Sequence, residues 1–72
     1  MELDSFEHAY RMHRERLVRL ATLLGGRREE AEEIVHDVFL ACQGRWAAVD
    51  EPASYLTRAV VFRCRDAQRR QY

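Results

Sequence analysis

A chain of 72 residues makes one small domain that buries only about 60% of the surface its unfolded form exposes, which leaves no room for a deep catalytic pocket. Twelve basic residues, all arginine, balance twelve acids, yet residues 1–51 carry seven arginines against eleven acids while residues 52–72 carry five against one; such separated poles suggest two different partner surfaces. No apolar run reaches signal-peptide or membrane-spanning length, and Cys42 and Cys64 fall at apolar helical positions, the pattern of a cytoplasmic protein with reduced, buried thiols; a disulfide between them is the lesser alternative, open only if the second and third helices face each other.

The first helix is predicted to begin at Asp4 or Ser5, because Asp4 with Glu7 makes a capping-box-like pair ahead of a periodic run. Phe6, Tyr10, His13, Leu17, Leu20, Ala21 and Leu24 mark its apolar stripe. Gly25-Gly26 then supplies the stop, since glycine accepts the left-handed conformation just past a last turn; the helix is expected to end near Leu24.

A second helix is expected from about Arg28, with Glu29, Glu30, Glu32 and Glu33 crowded toward its positive end. Ala31, Ile34, Val35, Val38, Phe39 and Cys42 form its buried side, and the pattern fades at Gln43-Gly44. Trp46 belongs at the helix end or folded over the core, and residues 47–54 read as a connector.

Asp50-Glu51-Pro52 announces the third helix, as an acidic cap with proline in the first turn. Its core face is Ala53, Leu56, Val60, Cys64 and Ala67. Tyr55, Arg58, Phe62, Arg65, Arg69 and Tyr72 fall within roughly 60° of one direction at about 100° per residue. This second face interleaves aromatic rings, which stack on bases, with guanidinium groups, which hold phosphates: a surface suited to single-stranded or opened nucleic acid. A plain solvated face and a docking site for an acidic protein are the competing readings. Nothing alternates with the period of a strand, so the fold class is all-α, a compact three-helix bundle.

The chemistry of the side chains argues against an enzyme and against cofactors. Glu33-x-x-His36 is half of a di-iron motif that neither other helix completes. Ser5 reads as a cap and Ser54 as part of a helix entry, with no base beside either, and Gly25-Gly26 reads as a turn between helices in place of a phosphate loop.

Three segments, Ala31-Glu32-Glu33-Ile34-Val35-His36-Asp37-Val38-Phe39-Leu40, Pro52-Ala53-Ser54-Tyr55-Leu56 and Asp66-Ala67-Gln68-Arg69-Arg70, taken in order, resemble region 2 of bacterial sigma factors of the extracytoplasmic-function group. The resemblance spans about Phe6 to Arg70. It implies a helical bundle that docks on the beta-prime clamp helices of core RNA polymerase and recognises and melts the promoter minus-ten element. By the same resemblance Glu33, His36, Asp37 and Leu40 contact the polymerase. Tyr55, Arg58, Phe62, Arg65, Arg69 and Arg70 face DNA, the arginines on phosphates, while the connector from Ala48 to Ser54 holds a base flipped out of the non-template strand. An anti-sigma factor is a further partner of the family, and no membrane is involved.

The chain departs from the pattern in four places. Phe62 stands where the family usually has Asn, His36 replaces a frequent Gln, and the Gly25 turn is one residue longer than is common. The family's second domain, which binds the minus-thirty-five element, is missing, so the expectation is a single isolated domain over residues 1–72. The alternative, from a different class, is a protein-interaction or self-associating module that uses the Phe62 and Tyr72 face.

Overall fold

The computed structural model describes the backbone of residues 2–70 and the side chains of residues 5–70. Three helices, α1 (Glu2–Leu23), α2 (Arg28–Gln43) and α3 (Pro52–Arg70), pack pairwise around one core, with a single 3-10 turn at Trp46–Ala48 between α2 and α3. Among the described residues there is no strand, and no helix is long and apolar enough to cross a membrane. The bundle measures 42 × 19 × 16 Å. Its short axes are under two helix diameters, so its concavities are open surface grooves.

α1 begins earlier than the capping pattern suggests, at Glu2. Asp4 and Ser5 lie inside the helix, and Ser5 accepts a hydrogen bond from the Trp46 indole at 3.3 Å, which ties the 3-10 turn to the start of α1. Trp46 is thereby buried over the core. The buried arc of α1 is wider than one stripe: Leu17 and Ala21 are enclosed, and so are Ala9 and Val18, because α2 and α3 cover α1 from two sides. Leu24 is exposed.

The turn after α1 is closed from a distance. Gly25 adopts φ +113°, a conformation that suits glycine, and the Gln68 side-chain amide donates to the Leu24 carbonyl left free at the helix end. A Cβ at Gly25 would lie 2.8 Å from that same amide nitrogen. Gly25→Ala is therefore expected to cost about 1–3 kcal/mol from backbone strain and displacement of the cap, lowering the thermal midpoint by several degrees; a midpoint within about one degree of the parent would reject this account of the turn.

α2 starts where the acidic cluster predicts. The Ala31 amide donates to the Arg27 carbonyl at 2.8 Å, and the Arg27 amide donates back to the Glu30 carboxylate at 3.3 Å, satisfying a donor that the helix leaves free. Ala31, Val35, Val38, Phe39 and Cys42 are buried and Ile34 half-buried. Phe39 meets Tyr10 and Phe6 edge to face, with ring centroids 4.9 and 6.0 Å away, and Phe6 meets Trp46 at 5.3 Å. These geometries are the favoured ones for aromatic pairs.

α3 opens with Pro52 in its first turn, and the Tyr55 amide donates to the Glu51 carbonyl at 2.9 Å. The expected connector over 47–54 is thus shorter, its first residues taken by the 3-10 turn and its last by the helix. Leu56, Val60 and Cys64 are buried as expected, Ala67 is half-buried, and Ala53 is exposed. Cys42 and Cys64 are free thiols, and burial pushes both up from the ordinary thiol range, so they remain protonated and weakly nucleophilic.

Candidate functional site

Two surfaces carry the residues singled out from the sequence. On α2, Glu33, His36, Asp37 and Leu40 recur at i, i+3, i+4 and i+7 and are all exposed, on the side opposite the buried Val35 and Cys42. Leu40, an apolar residue, is 56% exposed in the middle of this charged face.

The carboxylates of the acidic half divide into two groups. Glu15 and Glu32 are held by Arg28 at 2.9 and 3.1 Å, Arg14 adds longer contacts to both, and Glu30 pairs with Arg27. The hydrogen bond and charge of Arg28 hold the Glu15 carboxyl below its ordinary value. Among the described residues, no ion pair engages Glu33 or Asp37, nor Glu7, Glu29, Asp50 or Glu51. The Glu15–Arg28 and Arg14–Glu32 pairs fasten α1 to α2, whereas the unpaired carboxylates leave their charge to solvent or a partner.

On α3, Arg58, Phe62, Arg65 and Arg69 project to solvent, and Phe62 is 69% exposed despite its size. Tyr55 departs from the wheel reading. Its ring is half-buried against the core, and its hydroxyl accepts a hydrogen bond from Arg45 at 3.0 Å, so it joins the end of α2 to the start of α3. Arg70 is exposed but pairs with Asp66 at 3.2 Å. Tyr72 lies outside the described residues.

The connector makes a concavity of its own, lined by Arg45, Ala48, Val49, Asp50, Glu51, Tyr55 and Arg58. Two guanidinium groups offer donors, two carboxylates offer acceptors, and Ala48 and Val49 supply apolar surface. That combination fits a flat, polar-edged ring. Arg45 was not legible in the sequence as part of this site, because it follows Gly44 beyond the end of α2 and so escapes a helical periodicity. Its hydrogen bond to Tyr55 brings it there.

Arg16 joins the far side of α3 to α1, donating to Thr57 Oγ1 at 2.9 Å and lying 3.2 Å from His13 Nδ1. Burial, then the neighbouring Arg16 and His8, lower His13 below its ordinary value, which suits a neutral ring accepting from Arg16. His13 is thus a half-buried structural residue bordering the core. Among the described residues, no three His, Cys, Asp or Glu side chains converge on a metal-sized site.

The family model described as Sigma-70 region 2 matches residues 9–72. Comparison with curated proteins and with solved structures gives no match for this chain.

Proposed function

The chain belongs to the sigma-70 region 2 family, which gives it a sigma-factor role in transcription initiation, and from that premise we propose a division of labour between its two charged surfaces. The acidic face of α2, Glu33, His36, Asp37 and Leu40, docks on the beta-prime clamp helices of core RNA polymerase in the cytoplasm. The arginine face of α3 and the connector receive the non-template strand of the promoter minus-ten element. Within the family, the order of its motifs supports the extracytoplasmic-function group.

The observation that carries this reading is a pair of exposed faces of opposite charge, on which neither Glu33 nor Asp37 of α2, nor Arg58, Arg65 or Arg69 of α3, is engaged in an ion pair among the described residues. Arg58, Arg65 and Arg69 offer charge-assisted contacts to phosphates, and Phe62 offers a ring on which a base stacks. Arg70 joins them by exchanging Asp66 for a phosphate. The connector concavity receives the flipped base, with Asp50 and Glu51 accepting from an amine edge and Arg45 and Arg58 donating to a carbonyl edge. Tyr55 acts by steering Arg45. No covalent step is involved: binding energy realised only with an unstacked strand shifts the duplex toward melting.

The test titrates the chain with core polymerase, then titrates the complex with a single-stranded minus-ten oligonucleotide across a range of salt. Saturable binding is expected at both stages. Replacing Arg65 and Arg69 together with alanine should weaken the second stage by about tenfold and lower its salt slope by roughly 1.4, about 0.7 for each phosphate that is no longer neutralised. An unchanged slope would reject the α3 face. Failure of the folded, unmodified chain to bind polymerase would reject the whole reading.

A further inference from the structure

Arg58 lines concavities of different charge. On one side it closes the connector concavity, which also carries Asp50 and Glu51. On another it borders a shallow concavity between α1 and the first turns of α3, lined by Arg16, Ala53, Ser54, Thr57 and Arg58, with no carboxylate. Its two guanidinium groups come from different helices, and among the described residues neither is in an ion pair. Arg16 is held in place: it donates to Thr57 Oγ1 at 2.9 Å and lies 3.2 Å from His13 Nδ1, while Thr57 in turn donates to the Ala53 carbonyl at 2.8 Å. A guanidinium carries five N–H donors, so Arg16 keeps donors beyond these contacts. Two cations that share a concavity without a counter-charge favour an anion between them.

Helix geometry adds an orientation. At about 100° per residue, Ser54 and Thr57 lie about 40° and 100° to one side of Arg58 on α3, while Phe62 and Tyr55 lie about 40° and 60° to the other. Aromatic side chains occupy one flank, and hydroxyls with the Arg16 cation occupy the opposite one.

We propose that Arg16 and Arg58 together hold one phosphodiester of the single strand, with the Ser54 hydroxyl donating to the same group. The strand then crosses α3 at Arg58 with its backbone toward α1 and its bases toward Phe62 and the connector. This contact rests on the nucleic-acid reading of α3 and extends it to α1, a helix outside the arginine stripe. The carboxylates decide the flank: Asp50 and Glu51 repel a phosphate from the connector concavity and leave that space to a base, whereas no acid lines the Arg16 side.

An arginine that only braced α1 against α3 would contribute to stability and leave the salt dependence of binding alone. The chain bound to core polymerase is therefore titrated with a single-stranded minus-ten oligonucleotide across a range of salt. Arg16→Gln should lower the salt slope by about 0.7, the value for one phosphate no longer neutralised. It should also weaken matched and base-altered oligonucleotides by the same factor, because a phosphate contact carries no sequence information. Arg16→Lys keeps the charge and should retain the slope. Arg11→Gln, exposed and about 140° around α1 from Arg16, removes the same charge and should leave the slope within about 0.2 of the parent. A scan of single neutral methylphosphonate linkages locates the contact: at one linkage the replacement should weaken the parent several-fold and leave Arg16→Gln unaffected. A slope unchanged by Arg16→Gln, a slope lowered equally by Arg11→Gln, or a scan in which every linkage affects parent and variant alike would overturn this contact while leaving the α3 face to its own test. If the joint replacement of Arg65 and Arg69 also leaves the slope unchanged, the α3 reading falls and the Arg16 contact falls with it.

Discussion

Phe39→Ala is expected to leave the domain largely unfolded near physiological temperature. The ring is 2% exposed and lies where α1, α2 and, through Phe6, the 3-10 turn meet, with Tyr10 and Phe6 edge-on at 4.9 and 6.0 Å. Truncating a buried phenylalanine costs about 3–5 kcal/mol through forfeited transfer energy and the cavity left behind. A domain of this size holds on the order of 4–10 kcal/mol in total, so the change takes a large share of its stability. At about 4–8 °C per kcal/mol the thermal midpoint should fall by roughly 12–40 °C. Phe62→Ala is the control: the same truncation on an exposed ring should change stability by less than about 0.5 kcal/mol. Thermal melts by circular dichroism compare the two directly, and a drop of only a few degrees for Phe39→Ala would mean that the core is not organised around this ring.

The contrast between these two phenylalanines was legible in the sequence, because helical periodicity fixes which side of its own axis a residue occupies. Val35, Val38 and Phe39 fall in the stripe of α2, and Phe62 falls opposite Leu56 and Val60 on α3. What periodicity does not supply is the position of neighbouring axes. Val18 lies outside the α1 stripe and is nevertheless fully enclosed, since two helices cover α1 and widen its buried arc. Tyr55 sits at the edge of the α3 stripe, where α2 comes close enough for Arg45 to hold it. Arg63 lies well off that stripe on the wheel, and its long side chain still reaches the α2–α3 groove. The start of α1 differs from expectation for another reason: Asp4 and Glu7 satisfy a local capping pattern, but helix continues upstream to Glu2. Gln68 as the cap of α1 depends on a contact across 44 residues, which no local pattern encodes.

Asp37→Arg is expected to weaken binding to core polymerase by at least about thirtyfold, the effect of about 2 kcal/mol that follows when one member of a docked charge pair is removed. The position suits this test because Asp37 is exposed, half-way along the Glu33 to Leu40 face, and among the described residues it has no ion-pair partner whose removal would disturb the fold. Glu32 would be a poor choice, since it bonds Arg28 at 3.1 Å and helps to fasten α1 to α2. Reversing the charge also adds repulsion, because a partner that attracts Glu33 and Asp37 presents positive charge. Glu7→Arg, on α1 and outside the four-residue face, exposed and in no ion pair among the described residues, should change affinity only a few-fold. Titrations of the three proteins against core enzyme at two salt concentrations measure the difference, and it should shrink as salt screens the charges. An Asp37→Arg affinity within about threefold of the parent would remove this face of α2 from the polymerase interface.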